Sequence, residues 1–232
     1  MSETVVPLQK HESWTKGGPV VSHLRDDEIS LLGERASATI GDPATLGLWG
    51  FATGTWITGT VIAGAFPTSA LTACIPVLIV FAGMAQFIAG LYAFRRTNIL
   101  ASTAFCCFGA FNVTAAFFFA LQAANTIGTT GAPMVLLGFL LESFGFIAFA
   151  LAVAAIPTNA ALVTVLGTLS VGYFLTGIPH LVNASGGSGW AVVGSIGGWF
   201  LVASAFFAYY TGMAMVVNST WHRTILPIGG EP

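Results

Sequence analysis

The chain has 232 residues, of which 55% are hydrophobic and only 7% are charged, and its mean hydropathy is +0.84. A soluble domain would carry about 25% charged residues, so a conventional water-exposed globular domain is excluded. A net charge of −2 without a basic patch also excludes a nucleic-acid partner. Ten of the sixteen charged residues lie in the first 35 positions, and positions 43–222 hold only Arg95, Arg96 and Glu142.

Residues 1–41 contain most of these charges and no long apolar run. They predict a largely disordered tail with a short helix near Asp26–Leu32. A secretory signal peptide is not indicated, because no apolar core is followed by a small-residue cleavage site.

Six apolar segments follow, each long enough for the roughly 20 residues that a helix needs to cross a bilayer. They are continuously apolar rather than alternating, which favours helices over a membrane barrel. The breaks between them are short, so we predict an all-α integral membrane protein with one six-helix domain at 42–222 and a short carboxyl terminus at 223–232. The predicted spans are 46–66, 71–94, 100–124, 132–156, 160–182 and 190–217.

Every Lys and Arg lies in the tail, in the second loop (Arg95 and Arg96) or after the last span (Arg223). Cytoplasmic loops carry an excess of these residues. We therefore expect both termini in the cytoplasm and a multi-pass protein of the plasma membrane, the inner membrane of the cell.

Glu142 lies near the middle of the fourth predicted span, where an ionised carboxylate costs roughly 2.5–3.5 kcal/mol on insertion scales. Two interpretations stay open: a group that handles solute or protons, and a protonated carboxyl that bonds a neighbouring helix. Gln86 and Asn112 are neutral amides within other spans. Each either lines a pathway or joins two helices by hydrogen bonds.

Several activities are excluded by what the spans lack. No Lys follows Lys16, so a retinal Schiff base within the bundle is impossible. No phosphate-binding loop, nucleophile with its base or metal-ligand spacing is visible. We therefore predict neither an enzyme nor a cofactor or metal site.

Four stretches, in order along the chain, resemble the acetate uptake transporter family, which includes the succinate–acetate permeases. The segment 42–48, Asp-Pro-Ala-Thr-Leu-Gly-Leu, resembles the family's Asn-Pro-Ala-Pro-Leu-Gly-Leu signature. Segments 81–90, 103–111 and 223–229 resemble the family's second helix, third helix and closing segment. In the first motif the matching positions are Asp42, Pro43, Ala44, Leu46, Gly47 and Leu48.

The resemblance implies a homohexamer with a pore through each six-helix protomer. It also implies transport of acetate, and in some members succinate, accompanied by protons. The pore of such relatives narrows at three apolar or aromatic side chains, and the matching positions here are Phe51, Phe108 and Leu175. An apolar neck of this kind admits small solutes and resists hydrated ions.

This chain departs from the family pattern at informative positions. Asp42 stands in place of the family's Asn, Phe108 in place of the pore Tyr and Asn112 in place of a common Trp. Glu142 occupies a helix where an apolar or aromatic residue is expected. These departures leave the choice of substrate open.

The functional hypothesis is a channel or transporter for acetate or a similar small monocarboxylate, with succinate as a second candidate. The spans hold no cation to bind an anion, which favours the protonated acid or an anion moving with a proton. Gln86 and Asn112 would supply hydrogen bonds beside the neck, and Glu142 would accept the proton. The alternative is a channel for a neutral solute such as ammonia, urea or an undissociated acid, with Glu142 structural.

Overall fold

A computed structural model describes residues 40–182 and 189–229, together with Arg25 and Leu31. The chain divides into two compact units, Met1–Gly41 and Asp42–Pro232, and all helices discussed here belong to the second. The predicted tail, with its short helix near Asp26–Leu32, lies almost entirely outside the described residues.

Every regular element of the described membrane unit is helical, which confirms the predicted all-α bundle. Six helical segments follow one another, and the second of them contains two α-helices separated by an irregular turn. The α-helices are α1 (Ala44–Ile62), α2 (Leu71–Ile79), α3 (Gln86–Arg95), α4 (Ile99–Ala123), α5 (Ala132–Ala155), α6 (Ala160–Leu181) and α7 (Gly189–Trp221).

Five of the segments are long and apolar enough to cross a membrane by length and composition: Thr68–Arg95, which contains α2 and α3, and the helices α4 to α7. Helix α1 is long enough but not apolar enough to meet the same criterion, because nine of its 19 residues are Gly or Thr. Those small residues serve packing, since α1 lies between the second segment and α7 and is largely covered by them.

The glycines of α1 allow this close approach. A Cβ at Gly50 would lie 2.8 Å from the carbonyl oxygen of Phe81, and one at Gly54 would lie 2.5 Å from the Cβ of Ala82. On the opposite side, a Cβ at Gly198 of α7 would meet the backbone of Ala63, just after α1. Close packing through small residues is what holds membrane helices together.

The second segment is not a uniform helix. Pro76 lies inside α2, where it removes a backbone donor, and Val80–Ala85 forms a π-helical turn before α3 begins. Helix α4 packs closely on this turn, because a Cβ at Gly83 would lie 2.5 Å from a methyl of Val113.

Helices α5, α6 and α7 pack in sequence through glycines and buried hydroxyls. The Ser170 hydroxyl of α6 donates to the carbonyl of Gly145 in α5 at 2.9 Å. The Ser204 hydroxyl of α7 donates to the carbonyl of Val165 in α6 at 2.8 Å. Both bonds join buried groups, as expected where water is absent.

Two helix ends differ from the sequence prediction for identifiable reasons. Helix α1 ends at Ile62 rather than Phe66, because Gly64 adopts a left-handed φ of +89° that stops the helix. Helix α7 continues beyond position 217 to Trp221. At 1.5 Å per residue its 33 residues span about 50 Å, so it extends past a hydrocarbon core about 30 Å thick.

We predict that Gly198→Ala lowers the free energy of unfolding by about 1–3 kcal/mol, because the new methyl group would push α7 away from the end of α1. Thermal unfolding of the purified protein in detergent measures the change. Gly167→Ala in α6 is the matched control, since its Cβ would meet no atom within 4 Å. Equal melting temperatures for the two variants would contradict a tight α1–α7 contact.

Candidate functional site

A cavity of about 240 Å³ lies among α1, α3, α4, α6 and α7. At one end it is lined by the exposed or half-exposed residues Asp42, Asn98 and Asn159, and at the other by the buried side chains of Phe51 and Phe108. At 1.5 Å per helical residue, Phe51 lies about 10 Å beyond the start of α1. The cavity is therefore a vestibule that enters the bundle from the end where α1, α4 and α6 begin.

The mouth of the vestibule is formed by three helix starts, each capped by a side-chain oxygen. Asp42 Oδ1 accepts from the amide of Ala44, the first residue of α1, at 2.9 Å. Asn98 Oδ1 accepts from the amide of Ala101 at 3.0 Å, and Asn159 Oδ1 from that of Leu162 at 2.9 Å. Three positive helix ends thus surround one opening.

The carboxyl-terminal segment folds back to the same mouth. Asn218 accepts from the amides of Ile225 and Leu226 at 2.7 and 2.9 Å, which turns the chain after α7. The amides of Ala160 and Ala161, at the start of α6, donate to the carbonyls of Gly229 and Ile228. The side chain of Ile228 then forms part of the vestibule wall.

Two amides meet near the deep end. Asn112 of α4 donates through Nδ2 to Gln86 Oε1 at 3.2 Å and to the carbonyl of Ala82 in the π-helical turn at 3.1 Å. Gln86 is fully buried and lines the vestibule, and its Nε2 group has no hydrogen-bond partner within the described structure. A buried amide nitrogen without a partner is costly, which makes this group a candidate hydrogen-bond donor to a solute oxygen.

The vestibule ends at aromatic rings. Phe51 and Phe108 have ring centroids 5.9 Å apart. Phe108 also stacks on Tyr173 at 6.3 Å with an interplanar angle of 17°, and it lies 5.9 Å from Phe144. Phe111 completes the group, at 5.3 Å from Tyr173 and 4.5 Å from Phe144. These five side chains, from α1, α4, α5 and α6, are called the aromatic cluster below.

Of the three predicted neck residues, the structure brings together Phe51 and Phe108 but places Leu175 elsewhere. The Cβ of Leu175 lies 2.9 Å from where a Cβ on Gly197 of α7 would be, so Leu175 belongs to the α6–α7 contact. Residues two apart in a helix point about 200° from each other, and it is Tyr173 that reaches the aromatic cluster. The buried residues Leu166, Leu169 and Tyr173 share one face of α6, and this burial is visible only in the structure.

Glu142 also lies apart from the vestibule. Its carboxyl packs on Gly177 of α6, where a Cβ would come within 2.5 Å of Oε1, and that oxygen is buried without a described partner. Phe144, two residues further along α5, points instead into the aromatic cluster. Glu142 is thus on the α6 side of α5, about 200° around the helix from the side that faces the cluster.

We predict that Asn112→Leu lowers the free energy of unfolding by about 1–3 kcal/mol, because it leaves the buried Gln86 amide and the Ala82 carbonyl without their shared donor. Thermal unfolding in detergent measures the effect. Thr114→Val is the matched control on the same helix, since its hydroxyl bonds only the carbonyl of Ala110 one turn earlier. A loss no larger than that of the control would show that the amide pair does not stabilise the bundle.

Comparison with known proteins gives a consistent result. The sequence model of the GPR1/FUN34/yaaH family matches residues 30–228. The chain is 28% identical over 191 residues to the succinate-acetate/proton symporter SatP of Escherichia coli strain K12, which covers 82% of this chain and 96% of that protein. It is 24% identical over 198 residues to acetate permease A of Emericella nidulans, covering 82% of this chain and 66% of that protein.

A solved structure, described as that of the bacterial acetate channel SatP, superposes with a TM-score of 0.72 at 28% identity. The match covers 82% of this chain and 99% of that one. The fold likeness therefore extends over nearly the whole of the solved protein.

Proposed function

The chain belongs to the GPR1/FUN34/yaaH family, and from this membership we propose that it is a membrane channel or transporter for acetate or a similarly small monocarboxylate. The resemblance noted in the sequence is thereby confirmed. One observation supports the substrate class: buried Gln86, whose amide nitrogen has no described hydrogen-bond partner, lines the same vestibule as the aromatic pair Phe51 and Phe108.

This arrangement fits a small carboxylate. The Gln86 Nε2 group donates hydrogen bonds, and Asn112 holds the side-chain oxygen of Gln86 so that the nitrogen stays directed away from it. The aromatic cluster beyond the amide offers apolar contact to a methyl group and little to a hydrated ion. A solute with one carboxyl and a short apolar end matches both surfaces.

Protons are proposed to accompany the solute. Among the described residues that line the vestibule there is no Lys, Arg or His to neutralise an anion. Burying an uncompensated carboxylate is costly, so passage is easier for the protonated acid or for an anion with its proton. We also propose, from the Lys and Arg distribution and the family resemblance, a homohexamer in the plasma membrane with both termini in the cytoplasm.

The function is tested by uptake of labelled acetate into proteoliposomes at about pH 5 and about pH 7. We expect faster uptake at the lower pH, and we expect Gln86→Leu to slow it by roughly tenfold or more, the effect of losing one hydrogen bond to a charged or polar ligand. Gln122→Leu is the matched control, because that amide bonds only Met134, at the far end of α4 from the vestibule mouth.

Absence of acetate uptake by well-folded wild type would contradict the proposed substrate. Uptake that is unaffected by excess unlabelled acetate would favour a channel for a neutral solute. Equal losses in Gln86→Leu and Gln122→Leu would remove Gln86 from the pathway.

Glu142 is proposed not to carry the proton, because its carboxyl packs on Gly177 of α6 while Phe144, about 200° around α5, faces the aromatic cluster. We therefore expect Glu142→Gln, which keeps shape and polarity, to retain acid-stimulated uptake within about twofold of the wild type. The ratio of initial rates at about pH 5 and about pH 7 is the measurement. Loss of the pH dependence in a stably folded Glu142→Gln protein would instead place this carboxyl in the proton path.

A further inference from the structure

We propose that the Asp42 carboxylate makes this pathway selective for monocarboxylates over dicarboxylates, an inference that rests on the proposed carboxylate transport. Asp42 lines the mouth of the vestibule and is exposed there. Among the described residues that line the cavity it carries the only formal charge. A solute that enters or leaves through this mouth therefore meets one fixed negative charge.

The charge is not needed for the structural role of this side chain. Capping the start of α1 takes one oxygen, Oδ1, which accepts from the amide of Ala44 at 2.9 Å. Asn98 and Asn159 perform the same task for α4 and α6 with neutral side chains at the same mouth. An amide oxygen caps a helix about as well as a carboxylate does. The negative charge of Asp42 is therefore not required for capping, and its effect is on charged solutes at the mouth.

That consequence is electrostatic. The three helix starts around the mouth give a positive potential that would attract any carboxylate. The buried Gln86 amide lines the same cavity deeper in the bundle. Asp42 opposes this potential at α1, and no ion pair of Asp42 with another described residue neutralises it. The mouth thus combines a modest attraction for a carboxyl with a repulsion that grows with the charge of the solute.

The repulsion separates solutes by valence. Near pH 7 acetate carries one negative charge and succinate carries two, so the interaction with Asp42 is about twice as large for succinate. At a separation on the order of 10 Å, with the dielectric screening of a wet mouth, one charge pair changes the local concentration of the solute by roughly two- to fivefold. For a dianion the factor is squared, roughly four- to twenty-fivefold.

The decisive variant is Asp42→Asn, which removes the charge and keeps an oxygen to cap α1. We expect initial acetate uptake into proteoliposomes near pH 7 to rise by roughly two- to fivefold and succinate uptake to rise by roughly the square of that factor. The ratio of succinate to acetate uptake should therefore increase by roughly two- to fivefold. Raising the salt concentration should shrink the difference between variant and wild type, because the mouth is exposed to solvent.

Asn98→Asp is the matched opposite, since it adds a second carboxylate at the same mouth and keeps the cap of α4. We expect it to lower the succinate-to-acetate ratio below that of wild type. Because a barrier at either mouth slows flux in both directions, the mixed orientation of the protein in vesicles does not affect the comparison.

The outcomes separate this inference from the proposed function. If wild type transports acetate and both variants leave the succinate-to-acetate ratio unchanged, Asp42 does not select by charge and the inference is overturned. A fall in the ratio for Asp42→Asn would overturn it too. If wild type transports neither acid, the proposed function itself has failed. Should Asp42→Asn fold poorly, the response of Asn98→Asp decides alone.

Discussion

The contact of α1 with the second helical segment is the constraint on which the site depends. A bilayer supplies no hydrophobic force to bring helices together, so their approach is limited by the size of the groups between them. Gly50 lets α1 lie against the carbonyl of Phe81 and the Cβ of Gln86. Phe51 follows one residue later, about 100° around α1, and it lines the same cavity as Gln86. A larger residue at position 50 would separate the amide from the aromatic pair.

The π-helical turn at Val80–Ala85 resolves a second difficulty, that of keeping polar groups inside an apolar bundle. A polar group that water cannot reach must find its partners within the protein. Asn112 bonds both the carbonyl of Ala82 in this turn and the side chain of Gln86. One donor group thus fixes an irregular stretch of backbone and the orientation of the amide beside the vestibule. Structural stability and the proposed solute recognition rely on the same few atoms here.

The sequence was sufficient for the features that depend on hydrophobicity and helix length. Continuous apolar runs and short breaks gave the all-helical bundle, and the interruption at Gly64 shortened α1 by only a few residues. The resemblance predicted a neck at Phe51 and Phe108, and their ring centroids lie 5.9 Å apart. Gln86 and Asn112 were open between pathway and helix contact. The structure shows the hydrogen bond that joins them across two helices, and it shows that Gln86 also lines the vestibule, while a part in the pathway stays a prediction.

Rotation of helices about their axes was harder to predict. Helix α6 is apolar on every side, so nothing in its pattern strongly distinguished Leu175 from Tyr173 as the residue that faces α4. In α5, Glu142 stands out because carboxyl groups are rare within membrane spans. The residue type alone does not indicate which neighbouring helix this side chain faces. Only the packing of α5 on Gly177 separates that carboxyl from the aromatic cluster. The return of residues 225–229 to the start of α6 had no sequence signal, because it is made by backbone groups and the Asn218 side chain.

The absence of a cation among the described vestibule residues has a general consequence for transport. A Lys or Arg beside Gln86 would bind a carboxylate strongly, and a tightly held solute leaves slowly. A neutral amide binds a carboxyl group weakly and releases it readily, which suits a pathway for a small solute. Such a site does not distinguish a monocarboxylate from a dicarboxylate, since either one can accept hydrogen bonds from the same donors. Discrimination by charge then has to come from outside the binding site, and Asp42 at the mouth is where this chain carries it.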